Sequence, residues 1–313
     1  RAVDFLAELS AEVLRGPDTR RQEASAAFGF WCRRARLEAL AARHASPLPR
    51  LGRGLAFHLA PANVPALFAY TLAIGLLAGN ANVVRLSSRR MEGEAPLLAA
   101  LRRVLERPEH AAVRARTSLI TYGRDDAVTA DYCARCDARI VWGGDATVAA
   151  VRAMPMPPHA VELCFPDRWS LAVFSQRAFS ALTPEERGAL AHRFYNDTYQ
   201  MDQNACSSPQ LVLWLEDGGD PACRARWWEA VAAEAAERYP FGPFQAARKL
   251  ERLCLCAMTM EQPSVAAVER YQGNLLYVAR LAGLSGNLPS LAGGFGLFFE
   301  AALPSLEALA PLL

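Results

Sequence analysis

From residue 54 onward the chain switches repeatedly between short apolar runs and segments of helix length, and that alternation limits the folds open to it. An apolar run at 55–60 precedes a helix-length apolar segment at 65–78 and a β-branched run at 82–86. These three read as one βαβ unit, with parallel strands and a right-handed crossover. The pattern continues with a helix near 94–106, a strand at 117–122, a helix near 125–135 and a strand at 139–142. Such a series predicts an α/β fold, with a parallel sheet covered by helices on both faces.

A second α/β portion is expected from about 160, with strands at 169–174 and 210–215 flanking an amphipathic helix at 184–200. Helices at 221–238 and 244–256 follow, then a strand at 274–280. Before the alternation begins, residues 1–45 read as helices, because Phe5, Leu6, Leu9 and Val13 recur at helical spacing. Pro47 and Pro49 end that pattern. Two domains are therefore expected, 1–160 and 161–313, which suits a chain of 313 residues that exceeds the usual size of one core.

Composition excludes several function classes. With 52% hydrophobic and 21% charged residues, the chain has enough apolar surface to fold and is not a disordered segment. Its net charge is +2, Lys249 is its only lysine, and Arg and Glu alternate along 97–109. That pattern makes solvated helix faces rather than a basic patch, so no nucleic-acid partner is expected. The most apolar stretch, 62–78, is interrupted by Asn63, Pro65, Thr71 and Gly75. It falls short of the roughly 18–20 uninterrupted apolar residues of a membrane span and predicts a buried helix instead. Eight cysteines in so long a chain do not make a disulfide framework, and reduced thiols in a cytoplasm are expected. Cys133 and Cys136 form a single CxxC with no second pair or histidine pair at matching spacing, so no metal is expected.

Chemistry is most plausible in the loop Asp202-Gln203-Asn204-Ala205-Cys206-Ser207-Ser208-Pro209-Gln210, between the long helix and a strand. A nucleophilic cysteine must reach its thiolate form from a resting pKa of about 8.5, and a loop can surround it with N–H donors. Small neighbours leave room for a substrate, although spacing alone favours a buried structural cysteine. Asn63 follows the first strand, where ligands of open parallel sheets gather. Its amide suits an oxyanion, but sequence alone favours a helix N-cap supported by Pro65. Arg85, Ser87, Ser88, Arg89 and Arg90 cluster past the strand at 82–86, as a phosphate site or an exposed turn would. Gly143 and Gly144 end another strand, where backbone can approach a cofactor or simply turn. The chain contains no GxGxxG.

Taken together, FHLAPANVPALFAYTLAIGLLAGNANVVRLSSRR, ARIVWGGDATVAAVR, VELCFPDRWSLAVF and DQNACSSPQLVLW resemble the aldehyde dehydrogenase superfamily, and within it the LuxC-type acyl-CoA reductases. The resemblance covers roughly 50–300. It implies an aldehyde-dehydrogenase-like fold, a Rossmann-like cofactor domain joined to an α/β catalytic domain. It assigns Cys206 as nucleophile, Asn63 as oxyanion donor and Glu162 to the glutamate that activates water in hydrolytic relatives. A thioester reductase has no hydrolytic step, so Glu162 is either a proton donor or structural. The implied cofactor contacts are Pro61, Ala62, Arg85, Ser87, Ser88, Arg89, Gly143 and Gly144. Where NAD-preferring relatives carry an acidic residue this chain has Ser88 among arginines, which points to NADPH.

The implied substrate is an acyl thioester of CoA or of an acyl carrier protein, supplied in some settings by a partner acyltransferase or synthetase, and relatives generally form homo-oligomers. An oxidising aldehyde dehydrogenase and a non-catalytic acyl-binding subunit are the alternative readings. Gly293-Gly294-Phe295-Gly296 stands where the superfamily has Glu-x-Phe-Gly-Pro, without the glutamate. The chain stops soon after it, where relatives continue, so a further C-terminal segment is expected.

Overall fold

The computed structural model describes residues 1–61, 66–88, 94–123, 125–166, 168–259, 264–284 and 288–312. The chain divides into two compact units, Arg1–Asp167 and Arg168–Leu313.

The first unit opens with α1 (Ala2–Arg15), α2 (Pro17–Arg21), α3 (Glu23–Trp31) and α4 (Arg34–Arg43). Helix α1 buries the predicted stripe of Phe5, Leu6, Leu9 and Val13. The βαβ series follows as β1 (Leu55–Leu59), α5 (Leu67–Leu77), β2 (Ala81–Leu86), α6 (Glu94–Leu105), α7 (Ala111–Arg114) and β3 (Thr117–Thr121). It continues through α8 (Asp126–Arg135), β4 (Ala138–Trp142), α9 (Asp145–Arg152) and β5 (Val161–Phe165). The five strands form one parallel sheet in the order β3-β2-β1-β4-β5. Strand β1 is buried from Ala56 to Leu59, as a central parallel strand with both faces covered must be.

Helix α5 is the buried helix expected of the apolar stretch, with Phe68, Leu72 and Leu76 in the core. It lies close to the sheet because Gly75 has no side chain, and a Cβ there would overlap Asn82 Oδ1. The close approach closes a buried polar chain: His58 Nδ1 lies 2.7 Å from Thr71 Oγ1 and His58 Nε2 lies 3.0 Å from Asn82 Oδ1. Asn82 Nδ2 donates to Asn80 O, so its Oδ1 is the acceptor and His58 is the neutral Nε2–H tautomer. Burial pulls the His58 pKa down to about 4, against a smaller opposing effect of the Asn82 hydrogen bond. No helix among the described residues is long and apolar enough to cross a membrane.

The second unit runs β6 (Ser170–Ser175), α10 (Gln176–Ser180), α11 (Pro184–Thr198), β7 (Pro209–Leu215), α12 (Cys223–Arg238) and α13 (Pro243–Thr259). It ends with β8 (Val265–Tyr271), β9 (Leu276–Leu281) and β10 (Leu297–Leu303). Helix α11 starts at a capping box, with Thr183 and Glu186 exchanging side-chain and backbone bonds and Pro184 at the first position. Its sheet has the order β6-β7-β10-β9-β8, parallel except for the antiparallel β8–β9 pair. Central β10 sends Leu297, Phe299 and Ala301 into one core and Phe298 into another, against Trp214 and Trp228. Between those tryptophans Glu300 is fully buried, its Oε2 accepting from Trp214 Nε1 at 2.9 Å and Trp228 Nε1 at 2.5 Å. The only lysine, Lys249, is sealed between the Phe241 and Tyr277 rings at 4.5 and 4.8 Å and donates to Leu275 O at 2.9 Å.

Two features differ from the sequence reading, the division of the chain and two strands. The division falls at 167/168 rather than near 160, because residues 161–165 pair with β4 and complete the first sheet. Glu162 therefore belongs to the first unit. Strand β8 lies at an edge with alternating weak burial, and β10 occupies the centre of its sheet, yet neither was anticipated. The cysteines of the CxxC pack into the apolar core beneath β1 and β4.

Candidate active site

Cys206 lies on an exposed loop at the entrance to β7, so it is not the buried structural cysteine that spacing favoured. The loop begins with two successive left-handed residues, Asp202 (φ 51°) and Gln203 (φ 62°). Each such position costs a non-glycine residue about 1–3 kcal/mol and persists only where surroundings hold it. The surroundings do so from several elements. Tyr239 Oη donates to Asp202 Oδ1, and Phe295 N–H donates to Asp202 O at 3.1 Å. Burial, followed by the Asp202 carboxylate, raises the Tyr239 pKa. Gln203, only 2% exposed, donates from Nε2 to Pro209 O at 3.1 Å and to Leu297 O at 3.0 Å.

The rest of the loop is held as closely. Arg252 of α13 donates to Asn204 Oδ1 at 2.9 Å. Ser170 of β6 donates to Cys206 O at 2.8 Å, and Ser208 Oγ donates to Asp197 O at 2.6 Å. The outcome is an accessible thiol on a backbone with little freedom, which is what a nucleophile must be to meet a carbonyl at a defined angle. None of Arg252, Tyr239 or Ser170 was singled out from sequence. The one available signal was Asp-Gln-Asn before the cysteine, since Asp and Asn tolerate left-handed backbone.

In the first unit the predicted cofactor residues gather at one end of the sheet. Pro61 follows β1, Ser87 and Ser88 follow β2, and Gly143 and Gly144 follow β4. Strand order reverses between β1 and β4, and ligands of open α/β sheets bind at the carboxyl ends beside that switch point. Gly143 N–H donates to Phe165 O at 3.3 Å, and a Cβ on Gly143 would crowd Thr147 at 3.1 Å. Trp142 stacks on Phe165, with centroids 3.7 Å apart. Arg85 lies over the Tyr122 ring at 5.2 Å and donates to Tyr122 O at 3.2 Å, while its buried Nε has no acceptor among the described residues. Ala62, Asn63 and Arg89 lie outside the described residues.

Glu162 sits apart from this group, on β5 and paired in register with Arg139 of β4. Its Oε2 accepts from Arg139 Nε at 2.8 Å and its Oε1 from Arg152 Nε at 2.7 Å. Burial would raise its pKa, but hydrogen bonds from Arg152, Cys164 and Arg139 outweigh that and hold it below the usual carboxylate range. Both oxygens of the group are thus engaged by arginines, which favours its ionised form. Among the described residues, Glu8, Glu109 and His110 are close enough together to hold a metal ion, but Arg107 already supplies the counter-charge 2.8 Å from Glu8.

Comparison with known proteins adds to this geometry. The family model of the LuxC acyl-CoA reductases matches residues 32–246. No curated protein matches the chain. Lactaldehyde dehydrogenase from Escherichia coli superposes with a TM-score of 0.67 at 17% identity, over 99% of this chain and 71% of that one. An NAD-dependent aldehyde dehydrogenase from Sinorhizobium meliloti gives 0.67 at 14% identity, over 99% and 67%. An NAD-dependent benzaldehyde dehydrogenase from Corynebacterium glutamicum gives 0.61 at 15% identity, over 100% and 72%. Identities this low establish the fold, which is that of the aldehyde dehydrogenases.

Proposed function

Because the chain belongs to the LuxC family of acyl-CoA reductases, we propose that it reduces an acyl thioester, carried on CoA or an acyl carrier protein, to an aldehyde through an acyl group held on Cys206. The thiolate of Cys206 attacks the thioester carbonyl, the bond from carbonyl carbon to the donor sulfur breaks, and the donor leaves as a thiol after taking up a proton. The Cys206 backbone N–H is one oxyanion donor in this scheme, and Asn63 is the other. NADPH, when bound, supplies the hydride that turns the acyl cysteine into a thiohemiacetal. Collapse of that adduct releases the aldehyde and restores the cysteine.

The observation that carries the reading is the exposed thiol of Cys206 on a loop fixed by Gln203, Asn204 and Ser170. The buried Nε of Arg85, without an acceptor among the described residues, and the glycines after β4, at the carboxyl end of a parallel sheet, suit a phosphate-bearing dinucleotide. The engagement of Glu162 by two arginines supports reduction over oxidation, because hydrolysis of an acyl enzyme needs a base with a free oxygen. In this reading Glu162 is structural.

Incubation with a radiolabelled acyl-CoA tests the proposal. Wild type is expected to retain label and, with NADPH, to discharge it as aldehyde. Equal labelling of Cys206→Ala would remove Cys206 from the chemistry.

A further inference from the structure

We infer that Arg252 is a positioning residue for the nucleophile loop, clamping it to the Gly293–Gly296 turn through one guanidinium. The inference deepens the reading of Cys206 as the acyl acceptor and rests on it. One arm of Arg252 donates to Asn204 Oδ1 at 2.9 Å, and another donates to Gly293 O. The plane of the group covers the Phe295 ring, with its central carbon 5.0 Å from the centroid. Asn204 stands two residues before Cys206, and its Nδ2 closes the loop on Met201 O at 3.2 Å and Asp202 O at 3.1 Å. The amide is thereby oriented at both ends, with its oxygen toward the arginine.

The turn is shaped to receive this clamp. Gly294 has a φ of 139°, and a Cβ there would overlap the guanidinium. Phe295, at φ 56°, returns its N–H to Asp202 O. Two segments about ninety residues apart in sequence thus share one planar cation, which a lysine, with a single ammonium on a flexible stem, cannot bridge. Ser170 donates to Cys206 O, so Arg252 and Ser170 both restrain the backbone beside the thiol.

A double-mutant cycle tests this. Arg252→Ala and Asn204→Ala are each expected to lower kcat for acyl-CoA reduction about tenfold with little change in KM, the usual loss for one hydrogen bond to a charged group. The double variant should lose less than the product of the two single losses, because the Arg252–Asn204 bond is common to both. Peptide-resolved iodoacetamide labelling gives a second readout, separating Cys206 from the exposed Cys254. Its Cys206 rate should shift in all three variants, in the double by less than the product of the single factors, and Arg252→Lys should lose less than Arg252→Ala. Losses that multiply in the double variant, or labelling unchanged by Arg252→Ala, would overturn the inference. If Arg252→Ala does not fold, Arg252→Lys and Asn204→Ala form the same cycle. Absence of acyl-CoA reduction in wild type would count against the thioester reading alone, because the labelling cycle still measures the clamp.

Discussion

Replacing Glu162 by Gln separates a structural carboxylate from a catalytic one. Arg139 is 3% exposed and Glu162 is 15% exposed, so the substitution leaves a desolvated guanidinium without its counter-charge. Removing one partner of a buried pair costs about 3–5 kcal/mol. The amide keeps one acceptor and Arg139 keeps its 3.2 Å bond to Met154 O, which argues for the low end, about 3 kcal/mol. For a unit of this size that corresponds to a fall in Tm of roughly 6–12 °C. The partner comparison is Arg152→Ala: Arg152 is 62% exposed, and the exposed half of the network should matter by only about 0–1 kcal/mol.

Sign follows from the depressed pKa of Glu162, whose pairing stabilises the fold above the ordinary carboxylate range and is lost as pH falls through it. The Tm gap between wild type and Glu162→Gln should therefore narrow below about pH 4. Differential scanning calorimetry across pH gives the gap, and initial rates of acyl-CoA reduction well below Tm give activity. The structural reading expects a large Tm loss with kcat and its pH profile nearly intact. An unchanged Tm with activity lost by orders of magnitude would refute it and return Glu162 to the chemistry.

Two further perturbations follow from the first unit. His58 is buried neutral with a pKa near 4, so wild type should lose about 3 kcal/mol as pH falls from 6.5 toward 4, relative to His58→Gln. Urea unfolding of both proteins across that range checks it, and parallel curves would mean that His58 does not carry the change. Ser88→Glu should weaken NADPH binding about tenfold while sparing NADH, since a carboxylate repels the extra phosphate. Quenching of tryptophan fluorescence gives both affinities, and an unchanged NADPH-to-NADH ratio would dissociate Ser88 from cofactor choice.

The first sheet was legible because its strands obey local rules. Strand β1 is buried on both faces, helices alternate with the strands after it, and chain order then fixes a parallel arrangement. The second sheet was harder. Strand β10 lies between β7 and β9 although it is last in the chain, so its central place is a matter of long-range pairing that no local pattern carries. Glu162 shows the same limit at one residue. Resemblance located it, but its two arginines appear only when β5 is set in register beside β4 and α9 folds back over the edge.

The missing glutamate of the Gly293–Gly296 segment has a physical cause in the loop it faces. A Cβ on Gly293 would overlap Leu297 O and come within 2.8 Å of Gln210 Oε1 and 3.1 Å of Gln203 Nε2. Gln203 Nε2 is the donor that holds the start of the Cys206 loop to Leu297, and Gln210 Nε2 donates to Gln203 O at 3.0 Å. A glutamate at 293 would thus have to displace the bonds that stabilise two left-handed residues before Cys206.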